Sequence, residues 1–190
     1  MIYRIVKRQE KNILKGYTSM ISADSKAAEK RMDAMKQAAH TASVIIDGDE
    51  ALRIIVDRAV EHITNPDPDS RFMASDYFDV DLENFLRMKK TMQRLALLLD
   101  FPCSSSLWIK IKGLEDHVTL AVQNGTLHRY WTFGQLKLKP DKQKMIECLN
   151  TGSVTAAPLE ESEKMITVLA PVRNSLYDTV GCMEFSAEYP

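Results

Sequence analysis

The chain has 190 residues, 45% of them hydrophobic and 27% charged, with seven glycines and seven prolines. Those proportions exclude collagen-like, low-complexity and wholly disordered chains, and a globule of this length can withdraw roughly 70% of its unfolded surface from water. Lysine plus arginine number 25 against 26 for aspartate plus glutamate, a formal charge of −1. That balance argues against a protein built mainly to neutralise nucleic-acid phosphates. No run approaches about 18 apolar residues, so no stretch reads as a membrane span. Cys103, Cys148 and Cys182 are too few and too scattered for a disulfide framework or a zinc site.

Residues 1–16 carry Arg4, Lys7, Arg8, Lys11 and Lys15 against Glu10. They read as a solvated basic segment, or as a juxtamembrane one where a membrane helix precedes them. Residues 17–190 then form one expected domain, helical over 17–102 and sheet-forming over 103–190.

In the helical part, Ala28, Met32, Met35, Ala39, Ala42 and Ile46 recur at alternating steps of four and three, the spacing of one helical seam. No proline or glycine interrupts between Tyr17 and Asp47, which predicts a helix over 18–46, on the order of 43 Å long. Such a helix either lies along its own domain or pairs part of its seam with a second copy. Alanines bury little area, so that homodimer is expected to be weak. Asp47-Gly48-Asp49 predicts a break, with Gly48 in a left-handed cap and Asp49 capping the next helix. Leu52, Ile55, Val56, Ala59, Val60 and Ile63 predict a second amphipathic helix, ended by Asn65-Pro66-Asp67-Pro68. Residues 65–81 read as a loop whose Asp67, Asp69, Asp76, Asp79 and Asp81 lack calcium-loop spacing. A third helix is predicted from Leu82 to Asp100, closed by Phe101-Pro102.

The second half alternates with period two. Ser104-Ser105-Ser106 reads as a loop entering a strand in which Leu107, Ile109 and Ile111 share a face. His117 to Gln123 alternates through Val118, Leu120 and Val122, and Asn124-Gly125 predicts a hairpin returning over Thr126–Phe133. Pro140 to Leu149 reads as a short helix with Met145, Ile146 and Leu149 inward and Gly152 past its end. Strands follow at Ser153–Ala157, Met165–Val172 and Thr179–Ala187, with a turn at Asn174 to Asp178. This order predicts an α+β fold, an antiparallel sheet with helices packed against it.

Catalytic signatures are missing: there is no G-x-G-x-x-G, Walker loop, G-x-S-x-G or H-E-x-x-H. His117 and His128 alone do not complete a zinc site, so neither a metal nor a cofactor is expected. What remains is a candidate pocket on the central strands: Trp108, Lys110, Tyr130, Trp131 and Thr132 bring aromatics, a cation and a hydroxyl together. That mixture suits a small anionic or amphipathic ligand, with aromatic walls for area and a charge for orientation.

Two stretches carry a resemblance. Thr41-Ala42-Ser43-Val44-Ile45-Ile46-Asp47-Gly48-Asp49 resembles the helix end of Cache-type sensor ectodomains of bacterial receptors. Leu149-Asn150-Thr151-Gly152, Pro171-Val172-Arg173-Asn174-Ser175 and Val180-Gly181-Cys182-Met183-Glu184-Phe185 resemble that family's closing strands. The likeness covers about residues 17–187. The closing hairpin is also similar to that of GAF domains, in which reading the domain would span Leu82 to Ala187. Both families imply a PAS/profilin-like five-stranded antiparallel sheet, on which this chain is expected to pack its long N-terminal helix and two further helices. The resemblance implies a non-enzymatic sensory domain of a bacterial signal-transduction protein, binding a small molecule on the sheet face and relaying through the long helix. For Cache it implies a periplasmic position between flanking membrane helices; for GAF, a cytoplasmic one. A dimerisation or scaffold module without ligand is the reading of a different class.

Overall fold

The computed structural model describes residues 25–57, 60, 81–111, 114–124, 143–157 and 165–190. Helix α1 spans 25–45. Its seam turns inward: Ala28, Met35, Ala39 and Ala42 are fully buried and Ile46 nearly so, in one cluster with the sheet's Leu107, Val168 and Phe185. The alanines let the helix backbone lie close to the strands. Of the two alternatives for this seam, packing along its own domain is the one seen: the chain's own core occupies it, and any homodimer through this helix has to use its other face.

The break after α1 is built differently from the expectation. Asp47, not Asp49, caps α2 (Gly48–Arg53): its carboxylate accepts from the amides of Asp49 at 2.8 Å and Glu50 at 3.3 Å. Gly48 is the first helical residue rather than a left-handed cap, and a Cβ there would strike the carbonyl group of Arg173. It is glycine because two backbones meet. Asp49 instead accepts from the backbone amide of Ser175 at 2.8 Å, fastening α2 to the turn between the last two strands.

The second helix is interrupted within its apolar stripe rather than continuous: α2 ends at Arg53, and Asp57 and Val60 are helical again, the Val60 amide donating to the Val56 carbonyl at 3.2 Å. Ile54-Ile55-Val56 puts three β-branched side chains in succession, each restricted in χ1 against the preceding helical turn. The helix stops there, with Ile54 fully buried and its carbonyl accepting from the Asp81 amide at 3.0 Å. The loop carboxylates Asp67, Asp69, Asp76 and Asp79 lie outside the described residues. Asp81 caps α3 (Leu82–Ala96), accepting from the Asn84 amide at 3.2 Å. Met88, Met92 and Leu95 form the buried side of α3. The helix gives way to turns at Leu97 and Leu98, both exposed, before the expected end at Asp100.

Five antiparallel strands follow: β1 (Ser104–Ile111), β2 (Leu114–Asn124), β3 (Thr155–Ala156), β4 (Met165–Arg173) and β5 (Thr179–Glu188). Their order in the sheet is β2-β1-β5-β4-β3, with α4 (Gln143–Thr151) between β2 and β3 in sequence. The α+β class and five-stranded sheet are as predicted. The hairpin expected over Thr126–Phe133 lies outside the described residues, and β2 pairs with β1.

Leu107, Ile109, Val122, Val168 and Met183 face the helical half. Val118, Leu169 and Cys182 face the other way, against Met145, Cys148 and Leu149 of α4. Two irregularities move residues between faces. Leu107 pairs with Val122 but Trp108 with Leu120, so Ala121 is extra and Val118 and Val122, expected on one face, lie on opposite ones. Val180 is extra between the pairs Val172–Gly181 and Arg173–Thr179, which separates it from Cys182.

Candidate functional site

Alternation along β1 places Ser104, Ser106 and Trp108 on the face turned away from α1. The register aligns them with β5: Trp108 with Cys182, Ser106 with Glu184 and Ser104 with Ser186. On the far side, β4 sets Leu169 beside Glu184 and Thr167 beside Ser186. This face therefore has two ends. The apolar end, Val118, Leu169 and Cys182, is packed by α4. The polar end holds Glu184 and the hydroxyls of Ser104, Ser106, Thr167 and Ser186.

Trp108 stands between the two. Its ring packs against the α4 cluster while its indole Nε1 donates to Glu184 Oε2 at 2.7 Å. Both side chains are half-buried. Behind them, Gly181 permits the close approach of β5 to β1, since a Cβ would run into the carbonyl oxygen of Trp108. Among the hydroxyls, Thr167 and Ser186 lie 3.4 Å apart and Ser104 donates to the Ser186 carbonyl at 3.3 Å.

The helix over this face is held at both ends. Gly152 takes φ 63° just past α4, and its carbonyl accepts from the Arg173 guanidinium. A cation there also meets the negative end of the helix dipole. Near the first turn, Thr155 Oγ1 donates to the Lys144 carbonyl at 2.9 Å. Burial pushes the thiol of Cys148, on the inner side of α4, up to about 11, and does the same to Cys103. Protonated and enclosed, neither is a nucleophile near neutral pH. A carboxylate, several hydroxyls and an indole are the residue types that orient and wall a small ligand.

Of the five residues expected to form the pocket, Trp108 is in this arrangement. Tyr130, Trp131 and Thr132 lie outside the described residues. Lys110, two residues further along β1 and paired with Val118, lies on the same face of the strand as Trp108; the strand there also borders a separate cavity of about 320 Å³ between β1, the start of β5 and the segment following α2. Sequence reasoning missed Glu184 and the serines. Ser104-Ser105-Ser106 is not a loop but the buried start of β1. Cys182, Glu184, Ser186 and Glu188 at steps of two were the available signal for a polar strip on β5.

Among the described residues, no group of three or more His, Cys, Asp or Glu side chains is placed to hold a metal ion, and no helix is long and apolar enough to cross a membrane.

No protein-family model matches the chain, and no characterised protein matches its sequence. Among solved structures it is similar to the A. aeolicus nlh2 GAF domain in an inactive state, at 14% identity and TM-score 0.40, covering 74% of this chain and 81% of that one. It is similar to another GAF domain at 10% identity and TM-score 0.42, covering 77% and 79% respectively. A third is the sensory domain of the Campylobacter jejuni chemoreceptor Tlp3, at 12% identity and TM-score 0.36; 90% of this chain is covered but only 63% of that domain. Scores of this size establish no common family, and what the chain does rests on its own geometry.

Proposed function

We propose that the chain is a ligand-binding sensory domain of a signal-transduction protein, taking a small molecule on the polar end of the sheet face beside α4. The observation that carries this reading is the Trp108–Glu184 pair. An indole wall and a carboxylate share a half-buried position between an apolar patch and a row of hydroxyls. The ligand lies against Trp108 and is oriented by Glu184, with Tyr130, Trp131 and Thr132 as further proposed contacts. Its signal passes to α1, which packs on the opposite face of the same sheet. A ligand shifts that helix only through unequal affinity for two of its positions. The resemblance to Cache domains described above supports a periplasmic position. A cytoplasmic GAF-type position is the second reading, favoured by three buried cysteines that form no disulfide.

Native mass spectrometry of the purified chain, mixed with pooled carboxylates, amino acids, polyamines and nucleotides, tests the placement. A stoichiometric adduct that Trp108→Ala and Glu184→Ala both abolish supports it. An adduct both variants retain puts the ligand elsewhere.

A further inference from the structure

A cavity of about 320 Å³ lies between the segment after α2 and the adjoining ends of β1 and β5, on the α1 side of the sheet and apart from the Trp108–Glu184 face. Three irregularities converge to make it. The helical run breaks at Ile54, β5 stops pairing with β1 after Ile109–Gly181, and the extra residue Val180 turns towards the helical half. Ile109, Ile111 and Val180 form a buried floor, and the less buried Leu52, Ile55 and Val60 complete the aliphatic lining.

The other residues bordering this space give it no polar centre. Strand alternation sends the Lys110 side chain to the Trp108 face. The Thr179 hydroxyl lies by Gly152 at the end of α4, 3.2 Å from where a Cβ on that glycine would sit. Asp57 is exposed, so its carboxylate stays hydrated and opposes an anionic occupant. Water in so apolar a space forgoes the hydrogen bonds that hold an ordered water, whereas an aliphatic-walled cavity of about 150 Å³ already accepts benzene. A hydrocarbon that displaces such water removes both its own surface and the cavity walls from solvent.

We propose that this cavity binds a small uncharged aliphatic molecule, of roughly six to twelve non-hydrogen atoms on the benzene scale, with its body on Ile109, Ile111 and Val180. The site is independent of the sheet-face ligand. Occupancy braces the segment after α2 against β1 and β5.

Titration of the methyl-labelled chain with cyclohexanol, followed by NMR, tests this. The Ile55, Ile109, Ile111 and Val180 methyls should shift saturably, while Val118, Leu149 and Leu169 on the α4 side stay fixed. Cyclohexanecarboxylate, of similar shape but charged, should bind several-fold more weakly. Ile55→Phe puts a ring into the space from its less buried wall and should weaken cyclohexanol on the order of tenfold or more, with an unchanged or higher melting temperature. Where that variant does not fold, Val180→Ala decides: it removes floor contacts and should weaken binding several-fold. Absence of saturable shifts in the parent chain, shifts confined to the α4 side, equal affinity for the carboxylate, or unaltered affinity in the folded variant would each overturn the proposal. Because Glu184→Gln is expected to leave cyclohexanol binding intact, failure here is separable from failure of the sheet-face reading.

Discussion

The carboxylate of Asp49 accepts a hydrogen bond from the backbone amide of Ser175, 2.8 Å away and 126 residues later in the chain. One residue before Asp49 and two before Ser175, Gly48 packs against the backbone of Arg173, whose guanidinium holds the C-terminal end of α4. A short run of β4 thus touches both the α1–α2 elbow and the helix beside the ligand site. Displacement of α4 has a route of direct contacts to the elbow, and it passes through Arg173.

Asp49→Ala should remove the Ser175 contact at a cost of about 1–2 kcal/mol, since the bond involves a charged acceptor. Thermal unfolding should record a drop of roughly 2–6 °C at this chain length. An unchanged midpoint would show that the elbow does not depend on this bond.

Gly48→Ala reverses an ordinary rule. Within a helix the exchange normally favours alanine by about 1 kcal/mol. Here the added Cβ meets the Arg173 backbone, so the variant should be less stable than the parent by denaturant titration.

Met35→Lys should prevent folding rather than dissociate a dimer, because Met35 is fully buried in the cluster that joins α1 to the sheet. Ile45→Lys, on the outer side of the same helix and 54% exposed, should leave the fold intact. Circular dichroism separates the two outcomes, and sedimentation of Ile45→Lys reports any dimer through the outer side.

Thr119→Val should stabilise the domain. Thr119 is fully buried and its hydroxyl has no hydrogen-bond partner among the described residues, so exchanging it for a methyl of nearly the same shape removes a desolvation penalty of about 1–3 kcal/mol. A lower melting temperature would mean that the hydroxyl serves a contact of its own.

Alkaline pH should destabilise the domain through Cys103 and Cys148. Their thiols are raised by burial from 9.0 to about 11 in the fold, so the unfolded chain loses those protons first. The stability they contribute is complete below about pH 9 and declines as pH rises towards 11, by roughly 1.4 kcal/mol per unit for each thiol. The double variant Cys103→Ala with Cys148→Ala should flatten that decline.

Much of this architecture is legible in the chain. The α1 seam and the alternation of β1, β4 and β5 follow from simple spacing, and so do the capping end of α4 at Gly152 and the turn at Asn174. What spacing does not carry is which partner fills a seam: Ala28 to Ile46 suits a sheet or a second helix equally. Nor does it carry the extra residues Ala121 and Val180, whose effect is to exchange faces in strands that read as regular. Gly48 and Gly181 are explained only by backbones remote in sequence. The site was half legible: Trp108 stood out as an aromatic on a central strand, whereas Glu184 becomes its partner only through the β1–β5 register.

The measurement that bears most directly on the sensory reading is thermal unfolding of the purified chain against a library of carboxylates, amino acids, polyamines and nucleotides. A ligand at about 100 times its dissociation constant adds about 2.7 kcal/mol, a rise of several degrees at this length. The account predicts at least one such rise, lost in Trp108→Ala and Glu184→Ala while both variants stay folded. A broad library that moves the midpoint nowhere, or a rise that both variants preserve, would contradict ligand capture on this face; the first result favours a scaffold.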